Sequence, residues 1–330
     1  MQSATGSMST LTLLLGTRGS LLAKQQSQMI ANELESLYPG LRVEMQIIGT
    51  TGDRVVDTPL HDIGGKGLFT RELELALLDG SIDFAVHSLK DVPVTMPLVN
   101  TTDLMIAAIP RRLDPRDLLV SSLASRLDDL PPGSVVGTGS LRRRCQVLRI
   151  RPDLDVQAVR GNVDTRLRQL KRGKFDAIVL AEAGVRRCGL YDPSIMTPID
   201  TNEILPAAGQ GALALQCLRN RYDARQLLES LNDRQTVICV NAERAVIYAL
   251  NGDCRSPIAV LAEPNGASLT LRALVGHCNG KTVITAETKA PLEDASEAAD
   301  RVAVELLRRG AGRLLADAAS EVGDSLVEVG

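Results

Sequence analysis

The chain has 330 residues, of which 44% are hydrophobic and 23% are charged, and its formal net charge is −3 at pH 7. This length suits two or three domains, and the charge balance excludes a polyanion-binding role for the chain as a whole. With no Trp, three Phe and four Tyr, the cores are expected to be aliphatic, and a site built on aromatic stacking is disfavoured.

The cysteine spacing and the first residues indicate the compartment. The six cysteines lie at positions 145, 188, 217, 239, 254 and 278, with no Cys-x-x-Cys pair and no zinc-like spacing. Scattered cysteines in a chain of this length are typical of free thiols in a reducing compartment. Residues 1–10 contain neither an apolar core nor an arginine, and no apolar run approaches a membrane span. We therefore expect a cytoplasmic protein without a metal site.

The first hundred residues alternate between strand-like and helix-like patterns. Apolar spacing predicts a strand at 11–15, a helix at 22–37, a strand at 43–48, a helix at 68–78, and strands at 82–86 and 104–109. This βαβαβ order predicts a parallel, doubly wound α/β lobe.

A charged, proline-bounded hinge at 110–116 precedes a second βαβαβ unit. Its strands are predicted at 135–136, 156–159 and 176–180, with helices that begin at Ser140 and after residue 162. Near residue 205 the chain is expected to cross back and add a strand at 212–215. We assign residues 10–108 with 206–230 to lobe 1 and residues 112–204 to lobe 2. Two such hinged lobes resemble periplasmic binding proteins, and α/β lobes bind ligands beyond their C-terminal strand ends.

Residues 233–330 predict a small α+β C-terminal domain, the third domain. The pattern there gives a helix at 236–250, strands at 258–261, 269–275 and 282–287, and a helix at 295–309 that Gly310 ends. Cys254 lies on the loop after the first helix, in a turn-rich polar setting that no other cysteine shares. An accessible cysteine can attack an electrophile or carry a covalent group. The alternative is a small buried hydrophobic residue.

A basic stretch at 142–172 carries a local net charge of +7. Its Lys and Arg residues are at positions 142, 143, 144, 149, 151, 160, 166, 168, 171 and 172. Arg142 and Arg143 fall in the first turn of a predicted helix, and Arg160 directly follows a strand. Cations at a helix N-terminus oppose the helix dipole, so their placement is easier to understand if they face bound anions. The alternative is a solvated helix face, which is the commoner role of a charge run.

The anion class is narrowed by what the sequence lacks. No aromatic residue lies between 142 and 172, so the stacking platform of many nucleic-acid-binding proteins is missing. The glycine-rich loop at 64–68 lacks the Lys-Ser/Thr ending of a phosphate-binding P-loop. Because the guanidinium fork suits carboxylates, an organic polycarboxylate is favoured. Two rivals remain, a nucleic-acid-binding protein and a non-enzymatic two-lobed anion-binding clamp.

A second candidate group lies on the lobe-1 side of the expected cleft. Asp91, in Lys90-Asp-Val-Pro93, follows a strand end and would face the arginines of lobe 2. Arg18 and Ser20 follow the first strand and point to the same rim. The alternative for Asp91 is a turn-capping role, which is usual for an aspartate before proline.

Eight short stretches of the chain form an ordered set. They are Gly16–Ser20, Gly64–Phe69, Val86–Pro93, Ser140–Arg143, Arg160–Val163, Thr165–Leu167, Leu205–Gly211 and Gly252–Ile258. In residues, order and spacing this set resembles the porphobilinogen deaminase family over nearly the whole chain.

The resemblance implies a hydroxymethylbilane synthase, a transferase of tetrapyrrole, porphyrin and heme biosynthesis. Members of the family carry a dipyrromethane primer, attached by a thioether to the cysteine of a Gly-x-Cys loop, here Cys254. Four porphobilinogen molecules are condensed head to tail onto the primer, each with loss of ammonia. Hydrolysis then releases the linear tetrapyrrole 1-hydroxymethylbilane and leaves the primer in place.

The same resemblance implies the roles of individual residues. Asp91 would be the catalytic residue. The acetate and propionate groups would be held by Arg18, Ser20, Lys90, Arg142, Arg143, Arg160, Arg166 and Arg187, with Lys66 and Ser88 as further candidates. The family also implies a cytoplasmic monomer whose partner is porphobilinogen, with no nucleic-acid, membrane or metal partner.

Four positions depart from the family pattern. Leu21 replaces a proline, and Asp62 stands where some members have lysine. Gly139 stands where a serine is common, and Asp253 precedes Cys254 where a small neutral residue is frequent. An anion next to a cysteine disfavours its thiolate form. Attachment of the primer at Cys254 is therefore expected to be slower but not abolished.

Overall fold

The computed structural model describes residues 11–50, 67, 70–95, 99, 102–253 and 256–324, with side chains described up to residue 318. Two of the candidate site residues, Lys66 and Cys254, lie outside the described residues. None of the described helices is long and apolar enough to cross a membrane.

The helices and strands follow one another in three blocks. The first block is β1 (Leu11–Thr17), α1 (Leu21–Leu37), β2 (Leu41–Ile47), α2 (Arg71–Leu78), β3 (Phe84–Ser88) and β4 (Leu104–Ala108). The second is β5 (Asp117–Val120), β6 (Val135–Gly137), α3 (Leu141–Ile150), β7 (Asp155–Gln157), α4 (Val163–Lys171), β8 (Ala177–Ala181), α5 (Glu182–Arg187) and β9 (Met196–Pro198). The third is β10 (Leu213–Leu218), α6 (Tyr222–Glu229), α7 (Arg234–Ala249), β11 (Ile258–Asn265), β12 (Ser268–Gly276), β13 (Val283–Pro291), α8 (Ala295–Arg308) and α9 (Ala311–Asp324).

Lobe 1 is built on a five-stranded sheet in the order β2-β1-β3-β10-β4. β1 runs parallel to β2 and β3, whereas β10 is antiparallel to both of its neighbours, β3 and β4. The predicted return crossing is therefore confirmed, and the sheet is mixed rather than purely parallel. Leu13, Leu15 and Phe84 are fully buried and pack against Ile30 and Leu34 of α1.

Lobe 2 repeats this arrangement with the strand order β7-β6-β8-β5-β9. β6 is parallel to β7 and β8, and β5 is antiparallel to β8 and β9. The sequence prediction lacks β5 and β9, which have four and three residues. The predicted fold class is confirmed: two α/β lobes are followed by a small α+β domain.

The third domain packs helices against a three-stranded antiparallel sheet, β11-β12-β13. Asp233 caps the N-terminus of α7, and its Oδ1 accepts a hydrogen bond from the Thr236 N–H at 2.8 Å. α8 buries Val302 and Leu306 against the sheet. Gly310, with φ +97°, ends this helix as predicted. α9, which the sequence prediction lacks, follows directly.

Two segments connect the lobes, and they touch each other. The Leu113 N–H donates to the Gly211 carbonyl at 3.2 Å. Gly211 has φ +89°, and a Cβ at this position would lie 2.4 Å from the Leu113 carbonyl oxygen. Only glycine fits such an approach. The Arg112 Nε donates to the Gln210 carbonyl at 2.7 Å, so the outward and return crossings are joined side by side.

Candidate active site

The candidate residues of lobe 1 lie at or just beyond strand ends. Ser88 closes β3, and Lys90 and Asp91 lie in a one-turn 3-10 helix at Leu89–Asp91. The Leu89 N–H donates to the Ala212 carbonyl at 3.0 Å, which ties this turn to the residue before β10. Arg18 and Ser20 follow β1 in the same way.

The candidate residues of lobe 2 lie in the segments that follow its strands, some just beyond a strand end and others further along a helix. Ser140 caps α3 by accepting the Arg143 N–H on its Oγ at 3.4 Å, which puts Arg142 and Arg143 in the first turn of the helix beyond β6. The remaining three are Arg160 after β7, Arg166 one turn into α4, and Arg187 at the end of α5.

Arg142 and Arg143 are almost fully buried and converge on one carboxylate. The Arg142 Nη1 lies 2.9 Å from the Asp117 Oδ2, and the Arg143 Nη2 donates to the Asp117 Oδ1 at 2.8 Å. Each arginine also donates to a backbone carbonyl: Arg142 Nη1 to Leu205 at 2.7 Å and Arg143 Nη1 to Val179 at 3.1 Å. The anion that these helix-start arginines require is thus supplied in part by the protein.

Asp117 is fully buried at the start of β5. Burial alone would raise the pKa of its carboxyl group, but Arg142 and Arg143 lower it well below its usual range. The carboxylate is therefore ionised at neutral pH. One carboxylate between two guanidinium groups leaves one net positive charge, which favours a further anion close to the pair.

We expect Asp117→Asn to destabilise the protein by about 3–5 kcal/mol, because it leaves two buried guanidinium groups without their counter-ion. The measurement is the free energy of unfolding from urea denaturation at pH 7. Asp129→Asn is the matched control, since Asp129 is an exposed residue of the same lobe, and its effect should stay within about 0.5 kcal/mol. A loss below about 1 kcal/mol for Asp117→Asn would show that the two arginines do not depend on this carboxylate.

Lys90 and Asp91 lie within electrostatic reach of lobe 2. Burial lowers the pKa of Lys90 to about 8 against the opposing effect of Asp91, and Arg143 adds to the lowering. Burial also lowers the pKa of Arg166 to about 10, while Asp91 acts to raise it. The Asp91 carboxylate therefore acts on cations of both lobes. The residues brought together are Lys90, Asp91, Arg142, Arg143 and Arg166.

Two arginines of lobe 2 keep a buried donor without an acceptor among the described residues. These donors are the Nε atoms of Arg143 and Arg187. The Arg187 Nη2 donates to the Gly211 carbonyl at 2.8 Å, and burial lowers the pKa of Arg187 to about 10, so this side chain stays charged at neutral pH. An unpaired buried donor costs about 1–3 kcal/mol, so both positions favour an acceptor supplied by a ligand.

The two candidate serines are engaged within the protein. The Ser20 Oγ accepts the Ala23 N–H at 3.3 Å and so caps α1. The Ser88 Oγ lies 3.0 Å from the Gln26 Nε2 and 3.3 Å from the Gln26 Oε1. Each serine therefore stabilises lobe 1 locally, whatever it contributes to ligand binding.

Asp117 and Gln210 belong to this site but are absent from the sequence prediction. The Gln210 Nε2 donates to the Asp117 Oδ1 at 2.7 Å and to the Pro115 carbonyl at 2.6 Å. An aspartate beside a charged, proline-bounded hinge is ordinarily solvated. The one local signal is the apolar run Leu118–Val120, whose burial in β5 carries Asp117 inside.

Gly139, the position where the family commonly has serine, lies against the next strand end. A Cβ there would meet the Val159 carbonyl oxygen at 3.0 Å, which is tighter than an ordinary contact. A larger residue would push on the segment that leads to Arg160. With glycine at position 139 the site lacks a hydroxyl group, but the backbone at Gly139 can lie close to the Val159 carbonyl.

The geometry supports two kinds of chemistry. The buried cations of lobe 2 can hold and orient a ligand with several carboxylates. The Asp91 carboxylate, opposite them, can stabilise a cation on that ligand or accept a proton from it. No described group of three or more His, Cys, Asp or Glu residues could hold a metal ion.

Two family models match the chain. Residues 13–226 match the model described as porphobilinogen deaminase, dipyromethane cofactor binding domain. Residues 237–308 match the model described as porphobilinogen deaminase, C-terminal domain. The two matches together cover both lobes and most of the third domain.

Similar solved structures include the VFT2 domain of BvgS from Bordetella pertussis, as a double mutant, with 14% identity and a TM-score of 0.37 over 67% of this chain and 86% of that one. YhfZ from Shigella flexneri has 17% identity and a TM-score of 0.33 over 72% and 90% of the two chains. The substrate binding protein of an amino acid ABC transporter has 15% identity and a TM-score of 0.35 over 67% and 91%.

Proposed function

Because the chain belongs to the porphobilinogen deaminase family, we propose that it is a hydroxymethylbilane synthase. It condenses four porphobilinogen molecules head to tail onto a covalent primer, each with loss of ammonia, and releases the linear tetrapyrrole 1-hydroxymethylbilane by hydrolysis. The observation that carries the proposal is the position of Asp91, beside Lys90 and within electrostatic reach of Arg166.

The donor set of this candidate site fits a dipyrromethane, which presents several carboxylates. The unpaired Nε atoms of Arg143 and Arg187 call for such acceptors. The proposed attachment point is Cys254. The residues that would hold the carboxylates are Arg18, Ser20, Lys90, Arg142, Arg143, Arg160, Arg166 and Arg187, with Lys66 and Ser88 as further candidates. When bound, the dipyrromethane supplies the free pyrrole α-carbon to which the first porphobilinogen is joined.

Asp91 is the proposed catalytic residue. In each condensation the C–N bond of the porphobilinogen aminomethyl group breaks, and ammonia leaves with the bonding electrons and a proton. The carbon left behind is cationic, and a C–C bond then forms to a pyrrole α-carbon that loses its proton. The Asp91 carboxylate stabilises the cation and accepts a proton at its oxygen.

Lobe 2 is proposed to orient the substrate. Each pyrrole ring carries two carboxylates, and guanidinium groups bind carboxylates through paired hydrogen bonds. Arg142 and Arg143 are fixed by Asp117 and by backbone carbonyls, so they lose little freedom when a ligand binds. Orientation of this kind lowers the activation barrier, because the substrate loses its translational and rotational freedom on binding and not in the reaction step.

The organisation of the whole protein is proposed on the same basis. Lobe 1 comprises residues 10–108 with 206–230, lobe 2 residues 112–204, and the third domain residues 233–330. The protein acts as a cytoplasmic monomer on a small-molecule substrate, without nucleic acid or membrane as partner.

Intact-mass measurement and an activity assay together test the proposal. The purified protein is expected to exceed its sequence mass by two linked pyrrole rings, to consume porphobilinogen, and to release ammonia in equal amount. The rival is a non-enzymatic anion-binding clamp. A protein of unmodified mass that binds polycarboxylates in equilibrium dialysis but does not consume porphobilinogen would establish the rival and reject the synthase.

A further inference from the structure

One arginine of the third domain holds the backbone directly after Asp91. Arg244 lies on α7, and its Nη1 donates to the Val92 carbonyl and its Nη2 to the Pro93 carbonyl, both at 2.8 Å. The fork of one guanidinium group therefore spans two successive peptide carbonyls of lobe 1. Burial lowers the pKa of Arg244 from its ordinary value.

The segment that Arg244 holds is stiff. Val92 is extended, with φ −83° and ψ 117°, as the residue before a proline must be, and Pro93 has a fixed φ of its own. The Val92 N–H closes the 3-10 turn on the Leu89 carbonyl at 3.1 Å. Because little freedom remains between Asp91 and Pro93, a displacement of the two carbonyls moves the Asp91 side chain with them.

The helix that carries Arg244 is itself anchored in the middle of the molecule. The adjacent Glu243 is fully buried, and its carboxylate accepts a hydrogen bond from the Nη1 of Arg112 in the hinge at 2.6 Å. The carboxylate also accepts hydrogen bonds from the N–H of Gly209 at 2.6 Å and from the N–H of Ala262 in β11 at 2.9 Å. α7 is thus fixed to the hinge, to the return crossing and to the sheet of the third domain.

The same helix leads to the proposed attachment loop. α7 ends at Ala249, five residues before Cys254 in the sequence. The helix that holds the segment after Asp91 is therefore also the described helix that comes directly before the proposed attachment point in the sequence.

We propose that Arg244 is a positioning residue for the reaction at Asp91, an inference that rests on the proposed function. It sets the distance between the Asp91 carboxylate and a primer anchored on the third domain. Its two hydrogen bonds hold the backbone of Lys90-Asp-Val-Pro93 in a fixed position relative to α7. Arg244 itself touches neither substrate nor primer.

The test compares Arg244→Gln and Arg244→Lys with Arg234→Gln. Arg234 is an exposed residue at the start of the same helix, so its replacement removes the same charge from α7 without touching lobe 1. For each variant three quantities are measured: the fraction carrying the primer by intact mass, the kcat and KM for porphobilinogen per primer-loaded molecule, and the midpoint of thermal unfolding.

We expect kcat per loaded molecule to fall about 10- to 100-fold in Arg244→Gln, because a displacement on the order of 1 Å costs about 100-fold in rate. KM should stay within about twofold, since the arginines of lobe 2 are unchanged. Arg244→Lys, which keeps a cation but not the two-pronged fork, should recover part of the loss. Arg234→Gln should match the wild type in all three quantities.

A purely structural role for Arg244 predicts a different pattern. The Gln variant would then unfold at lower temperature, while its loaded molecules turned over at the wild-type kcat, and that result would overturn the inference. If Arg244→Gln does not fold, Arg244→Lys decides, and a wild-type kcat for its loaded molecules would also overturn it. A wild-type protein that lacks both primer and turnover rejects the proposed function instead, so the two failures are distinguishable.

Discussion

Replacement of Asp91 by asparagine is expected to lower kcat about a thousandfold and to leave the protein folded. A carboxylate about 4 Å from a cation contributes on the order of 4 kcal/mol at an effective dielectric constant of about 20. This energy corresponds to roughly a thousandfold in rate. Asparagine keeps the shape and the hydrogen-bonding reach of the side chain but loses its charge and its basicity. The measurement is kcat for porphobilinogen, with circular dichroism as the test of folding.

Asp91→Glu is the companion variant. Glutamate keeps the charge and moves it by one methylene, so we expect an impaired but active enzyme. The alternative role for Asp91 is to cap its 3-10 turn, to which Asp91 belongs as the last residue. Asparagine caps turns nearly as well as aspartate. Near wild-type turnover in a folded Asp91→Asn protein would therefore assign Asp91 to the turn and not to the chemistry.

Cys254→Ala is expected to abolish both attachment of the primer and turnover of porphobilinogen. We predict no such loss for replacement of any other cysteine. Burial raises the pKa of Cys145, Cys217 and Cys239 to about 11, so these thiols are poor nucleophiles at neutral pH. Cys278 is buried as well. The measurement is the intact mass together with mapping of the modified peptide, which should contain residue 254.

Cys188→Ser is the matched control for Cys254. Cys188 is the one half-buried thiol among the cysteines that the structure describes, and burial raises its pKa less strongly. Its serine variant should keep the primer and wild-type activity. A Cys254→Ala protein that still carries the adduct, or an adduct that disappears in Cys188→Ser, would move the attachment point away from residue 254.

Asp253 and Ser256, the described residues on either side of positions 254 and 255, are joined by two hydrogen bonds. The Asp253 N–H donates to the Ser256 Oγ at 3.1 Å, and the Ser256 Oγ donates back to the Asp253 Oδ1 at 3.2 Å. The Asp253 carboxylate is thus occupied by a hydroxyl. The expected slowing of primer attachment by Asp253 stays a prediction.

The lobes were predictable because their strands and helices carry strong local patterns. The apolar run that becomes β1, and the helix-period residues Ile30 and Leu34 of α1, are visible without tertiary knowledge. The return of the chain to lobe 1 was predicted as well, but the neighbours and the direction of β10 were not. Its pairing with β3 joins Leu215 to Val86 and Cys217 to Phe84 across more than a hundred residues. No local rule fixes a partner at that distance, so the mixed sheet had to be observed.

The candidate site also has features that local sequence predicts and features that depend on tertiary contacts. Local electrostatics identified Arg142 and Arg143 as cations in need of an anion, because both begin a helix. It could not say whether the anion belongs to a ligand or to the protein, and the structure supplies Asp117. Arg244 gave no pattern either, since a half-buried arginine in an amphipathic helix is ordinary. Its function depends on which loop of another domain lies beside it.

The late position of β10 in the chain affects how the protein folds while it is being translated. All five strands of lobe 2 lie between residues 117 and 198, whereas the sheet of lobe 1 receives its fourth strand in spatial order, β10, only at residues 213–218. During synthesis from the N-terminus, lobe 2 therefore has its complete sheet before lobe 1 does, although lobe 1 begins first. Until β10 is made, β3 presents an unpaired edge and β4 has no partner strand in the described sheet. During this interval the nascent chain exposes unpaired strand edges, which can pair with other chains and so promote aggregation. Chaperones that bind such edges would act in the same interval.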